Sequence, residues 1–119
     1  MLRLQGSTGR AARVVSAQGL KENVAALPSA AHVKRITLPQ IKHELVPAPG
    51  KMASVAIYAY LAQTHAGKLT QAAAAEAIKL YAEASDDAKL HPGSHPNIDL
   101  LFPVAEGTVA PYDIVVENQ

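Results

Sequence analysis

The chain has 119 residues and a formal net charge of +1 from 11 basic and 10 acidic side chains, with one Phe and no Trp. That balance and that shortage of rings remove the charge attraction and the stacking platforms that nucleic-acid binding relies on. The absence of Cys excludes disulfides, thiolate catalysis and cysteine zinc sites, and no apolar run reaches the roughly 18 residues of a membrane span.

Such a length supports one domain with a modest core. The composition is 49% hydrophobic but only 4% aromatic. Much of the apolar fraction is Ala, which points to closely packed helices rather than a bulky core. Residues 1–18 stand apart from the rest. They carry Arg3, Arg10 and Arg13, along with Ser7, Thr8 and Ser16, and no acidic residue appears before Glu22. An acid-free, Arg- and Ser-bearing start has the composition of an organellar transit peptide. It equally suits a solvated basic tail, or a start codon placed too far upstream. We therefore divide the chain into a basic arm, 1–18, that targets or anchors the protein, and a single domain, 19–119.

Residues 16–27 predict a short helix, because Leu20, Val24 and Leu27 share one face, and Pro28 ends it. Residues 32–38 predict a strand with Val33, Ile36 and Leu38 inward. The adjacent Lys34 and Arg35 break its period of two. Residues 41–46 suggest a second strand, and the run from Pro47 to Gly50 a turn. Residues 51–66 predict a helix with Met52, Val55, Ala59 and Ala62 on one face and Ile57 and Leu61 beside it; a strand is the alternative for its β-branched centre. Gly67 is placed to stop that helix and Thr70 to cap the next. The next helix runs over 71–90, with Ala74, Ile78, Tyr81, Ala82 and Ala88 inward. Its Ala run has high helix propensity and lets the two helices form a close hairpin. Pro92 and Gly93 end it. Residues 98–104 predict a strand with Pro103 at its end or edge, Glu106 and Gly107 a turn, and residues 112–116 a last strand. The order predicts an α+β fold: an antiparallel sheet of three to four strands, covered on one face by the hairpin and the short first helix.

The densest polar chemistry lies in the 91–99 loop. His91 and His95 are four apart, the spacing of zinc-binding helices, but Pro92, Gly93 and Pro96 argue against a helix there. In a loop the rings can still converge, with Asp99, Asp87, Asp86 or Glu83 as an oxygen donor. This gives a weak metal set of His91, His95 and Asp99. The plainer reading is a structural loop in which Asn97 or Asp99 accepts neighbouring backbone N–H groups. The run Pro49-Gly50-Lys51-Met52-Ala53-Ser54 puts Gly, Lys and Ser at a helix start, where free N–H groups can hold an anion. It is not a P-loop, since the first Gly is missing and Ser54 does not follow Lys51 directly. Glu76 and Glu83 share a helix face with Lys79 between them, which reads as ordinary surface pairing. Tyr58, Tyr60 and Tyr81 read as packing residues with wet hydroxyls. No Ser sits in an elbow motif.

Several of these segments together resemble a small bacterial domain-of-unknown-function family. They are the run from Lys21 to Pro28, Pro49-Gly50-Lys51, Tyr81-Ala82-Glu83, Asp87-Ala88, and Pro92-Gly93-Ser94-His95-Pro96-Asn97-Ile98-Asp99. The resemblance covers about residues 20–116 and leaves the arm outside. It implies that Gly50, Lys51, Glu83, Asp87, His95, Asn97 and Asp99 belong to one recurring surface. It also leads us to expect a basic residue after Asp99. Leu100 stands there instead, which counts against an anion-binding role.

The sequence points first to a non-catalytic binding or accessory module that docks to a larger protein assembly through the arm. That assembly is a mitochondrial complex if the arm is organellar; otherwise the protein belongs in the bacterial cytoplasm. The alternative is a ligand- or metal-dependent enzyme or binder centred on Lys51, His95, Asn97 and Asp99. No cofactor is implied, and no nucleic acid or membrane span.

Overall fold

The computed structural model describes residues 19–119. The arm with Arg3, Arg10 and Arg13, and the expected start of the first helix at 16–18, lie outside the described residues.

The first helix is α1, Leu20–Ala25. Strand β1, Val33–Leu38, pairs antiparallel with β2, His43–Leu45, on one side and with β5, Val115–Asn118, on the other. The β1–β5 register shifts between Val33 and Arg35, so Lys34 is the extra residue of a β-bulge. The bulge explains the broken period. It returns Val33 to the face of Ile36 and Leu38, and all three are fully buried. Lys34 and Arg35 stay outside, paired with Glu117 at 3.5 and 3.3 Å. β2 is shorter than expected because a 3-10 turn, Pro39–Ile41, and the left-handed Lys42 (φ 52°) occupy the connection.

Helix α2, Met52–Thr64, packs on β1 and β5. Val55, Ala56, Ile57 and Tyr58 are consecutive and all buried. Four consecutive residues cannot share one helix face, so α2 is enclosed from several sides. Met52, expected inward, is 42% exposed. Gly67 (φ 75°) follows α2 as expected, and its N–H donates to the Ala62 carbonyl at 2.8 Å. A short strand that the sequence reading missed, β3, Lys68–Leu69, then pairs with β4, Tyr112–Asp113, as a separate two-stranded ribbon. The expected last strand is thus two strands, which serve different sheets. Asp113 joins the ribbon to the main sheet: it accepts from Gln40 Nε2 at 2.9 Å, and its N–H donates back to Gln40 Oε1 at 3.0 Å.

Thr70 caps α3, Gln71–Tyr81, by accepting the Ala73 N–H at 3.1 Å. Ala73, Ala74, Ala77, Leu80 and Tyr81 are buried at helical spacing. The single helix expected over 71–90 is broken at Ala82 (φ 53°, ψ −120°), and α4, Glu83–Leu90, starts beyond it. A break orphans the last carbonyls of α3. Ser85 Oγ donates to the Ile78 carbonyl at 2.7 Å, and Asn23 Nδ2 to the Leu80 carbonyl at 3.0 Å. Asn23 and Ser85 are the buried polar residues among those described, so the break explains both. In return, Glu83 accepts the Leu20 N–H at the start of α1 at 3.0 Å, and that bond holds the Glu83 carboxyl below the usual range.

The strand expected over 98–104 is instead two short helices, α5, Pro96–Asp99, and α6, Leu101–Glu106. Pro96 opens α5 and Pro103 falls in the first turn of α6, where a missing N–H costs no intrahelical bond. Gly107 (φ 77°) ends α6: its N–H donates to the Val104 carbonyl at 3.1 Å and the Thr108 N–H to that of Pro103 at 3.0 Å, the paired bonds of a Schellman cap. Ile98, Leu101 and Val104 turn inward, and α6 packs on α3.

Candidate functional site

A cleft of about 300 Å³ opens between the start of α2, the α3–α4 break and the Pro96 turn. Gly50, Lys51 and Ser54 come from the first side, Tyr81 and Ala84 from the second, and Ser94, His95 and Asn97 from the third. Three of the four ligand candidates, Lys51, His95 and Asn97, are therefore brought together. Gly50 takes φ 81° in the turn and delivers the exposed Lys51 to the rim.

Asp99 is not on this cleft. Its Oδ2 accepts the Gly93 N–H at 2.9 Å, and Ser94 Oγ donates to the His91 carbonyl at 2.7 Å. These bonds close the loop, as the plainer reading expected of Asp99. Asn97 has a different task from the one expected. Its Oδ1 takes a hydrogen bond from His43 Nε2 at 2.6 Å, and its backbone carbonyl takes one from the buried Tyr58 hydroxyl at 2.6 Å. Both bonds fix the amide at the cleft wall. Burial pushes the Tyr58 hydroxyl well up, so it stays a donor.

His91 and His95 converge on Asp87, with His91 Nδ1 at 3.2 Å and His95 Nε2 at 2.7 Å from its two oxygens. The His95 hydrogen bond is the main cause holding the Asp87 carboxyl low. Among the described residues, no three His, Asp or Glu side chains are grouped to hold a metal ion. Asp87 lies four residues before His91, a spacing that gave some sign of this contact.

Sequence reasoning missed three further contacts. The buried Tyr81 hydroxyl donates to Ser54 Oγ at 2.7 Å and so ties the break to α2; burial keeps its proton on. Glu76 is not a solvated partner of Lys79. It is half-buried, and accepts from Tyr60 at 2.7 Å and from His65 at 2.8 Å. Burial and then the Glu76 bond push the Tyr60 hydroxyl up to about 12. Asn23 gave no signal at all, since its partner carbonyl exists only because α3 breaks.

Among the described residues, the molecule is an α+β domain in which helix α2 packs on a small antiparallel sheet, the other helices pack around it, and a polar cleft opens at a helix junction. Residues 20–114 match the family described as uncharacterized protein conserved in bacteria, DUF2322, and the chain belongs to that family. The match takes in every residue of the cleft and leaves the arm outside it. A family described in bacteria gives no support to the mitochondrial reading of the arm. No curated protein and no solved structure matches the chain. Among the described residues, no helix is long and apolar enough to cross a membrane.

Proposed function

We propose that this domain is a non-catalytic module that binds a small anion in the Lys51–His95–Asn97 cleft. The observation that carries the reading is the set of hydrogen-bonding groups left for a ligand. The carboxylate and amide acceptors around the cleft are already engaged: Asp87 by His91 and His95, Glu83 by the Leu20 N–H, and Asn97 Oδ1 by His43. Ser54 Oγ accepts a hydrogen bond from the Tyr81 O–H and keeps its own proton to donate. The Ser94 and Tyr81 hydroxyls already donate to the His91 carbonyl and to Ser54, and the donors left are the Lys51 ammonium, the Asn97 amide N–H groups and the Ser54 hydroxyl. Lys51 has no carboxylate partner among the described residues. The cleft also lies at the positive end of α2. The positive charge that Leu100 fails to supply after Asp99 comes here from Lys51. His95 and Asn97 both belong to the Pro92-to-Asp99 signature that carried the family resemblance.

The test is calorimetric titration at low salt with acetate and with inorganic phosphate. Binding that Lys51→Ala and His95→Ala each weaken by tenfold or more supports the reading. An absence of binding by either anion at millimolar concentration refutes it.

A second reading, docking to a larger bacterial protein assembly as an accessory module, is favoured by exposed apolar side chains. Leu90 is 75% exposed and Val115 51%. Native purification through a tag after Gln119 tests this reading. A stoichiometric assembly supports it, and a free small particle opposes it.

A further inference from the structure

The cleft does not end at Lys51. A second chamber of about 420 Å³ lies beyond it, and Lys51, Pro96 and Asn97 line both. The three residues form a saddle between the two spaces. The walls of the second chamber are apolar, from Leu45, Val46 and Ala48. Its polar members are already occupied. His43 donates to Asn97, and Glu44 pairs with Arg35 at 3.7 Å. A ligand entering that chamber therefore finds hydrocarbon from Leu45, Val46 and Ala48, beside the Arg35-paired Glu44 carboxylate, and donors only at the saddle. Each chamber reaches the size range of small-molecule sites, which begins near ~300 Å³.

We infer that the saddle and the second chamber form one site for an aliphatic carboxylate. The carboxylate sits at the saddle on Lys51 and the Asn97 amide. The unbranched chain lies along Val46 and Ala48. One lysine matches one negative charge, and Val46 is 52% exposed without this cover. The inference rests on the anion reading of the first cleft and adds to it the class of ligand.

The experiment is titration of the full chain with acetate, butanoate, hexanoate and octanoate, beside the matching alkylammonium series. Each methylene buried in the second chamber should tighten binding by about fourfold until the chamber is full. Val46→Asn replaces a half-exposed side chain and leaves the core intact. It should remove at least tenfold of the hexanoate affinity and leave acetate unchanged. Equal binding of the whole carboxylate series, a chain-length gain that survives Val46→Asn, or equally tight binding of the alkylammonium ions would overturn the inference while acetate still binds. If acetate, phosphate and every chain length fail to bind, the anion reading itself falls.

Discussion

Replacing Ala82 with Gly should make this protein more stable, although the position lies between two helices. Ala82 holds φ 53° and ψ −120°, a region that L-residues rarely enter. Holding a side chain in such a sparsely populated region costs of order 1–3 kcal/mol. Gly removes most of that cost but loses roughly 0.5–1 kcal/mol more backbone entropy on folding. The difference favours the variant by about 1 kcal/mol, or about 4 °C in melting temperature for a domain of this size. The control is Ala75→Gly, exposed in the interior of α3. It should lose about 1 kcal/mol through helix propensity alone. Reversible urea and thermal unfolding of the three proteins reads both changes. If Ala82→Gly loses as much as Ala75→Gly, residue 82 is helical in solution and the break at Ala82 is refuted.

The break should also depend on its supporting side chains. Asn23→Ala removes the buried donor to the Leu80 carbonyl and should cost about 1–3 kcal/mol, read by urea unfolding; no loss would show that water reaches that carbonyl. Glu76→Ala leaves the Tyr60 hydroxyl and His65 without their shared acceptor and should cost about 1–2 kcal/mol. An unchanged ultraviolet titration of the tyrosines near pH 12 in that variant would contradict the Tyr60–Glu76 bond. Glu83, Asp87 and Asp113 are all held low by hydrogen bonds, from the Leu20 N–H, His95 and Lys68 respectively. A depressed folded pKa contributes stability above the unfolded value, about 4, and that stability is lost as the pH falls through the folded value. The urea midpoint should therefore decline below about pH 4, and Asp113→Asn should shallow the decline; a midpoint flat from pH 5 to 2 would contradict the pairing.

The parts of the fold that sequence pattern captured are those set by local chemistry. Thr70 capped the helix it precedes, Gly67 ended the helix before it, and Ile36 and Leu38 turned inward by simple alternation. The misreadings have physical causes. Leu100, Leu101 and Phe102 look like a strand because large apolar residues in a row suit one. The three-residue spacing of Ile98, Leu101 and Val104 was the better guide, and Gly107 the better stop signal. The break at Ala82 was invisible because alanine propensity favours a continuous helix, and the groups that satisfy the break come from distant chain. Lys51, His95 and Asn97 could be chosen from local residue type at turns. Their common cleft depends on His43 and Tyr58, which only tertiary packing brings to Asn97.

The junction at Ala82 also bears on how the chain assembles. The bond from Asn23 to Leu80 spans 57 residues, so closing it waits on a long loop whose entropy must be lost first. Helix α3 can nucleate early from its own alanines. The turn into α4 has local bonds of its own, from Ala82 N–H to Lys79 and from Ser85 to Ile78 and Ala82, but its bonds through Asn23 and Leu20 need α1 in place. In native-state hydrogen exchange, the amides around Ser85 should then belong to a late-forming, early-opening unit. Because Tyr81 and Ala84 stand on either side of that turn and line the cleft, a bound ligand should slow exchange there first.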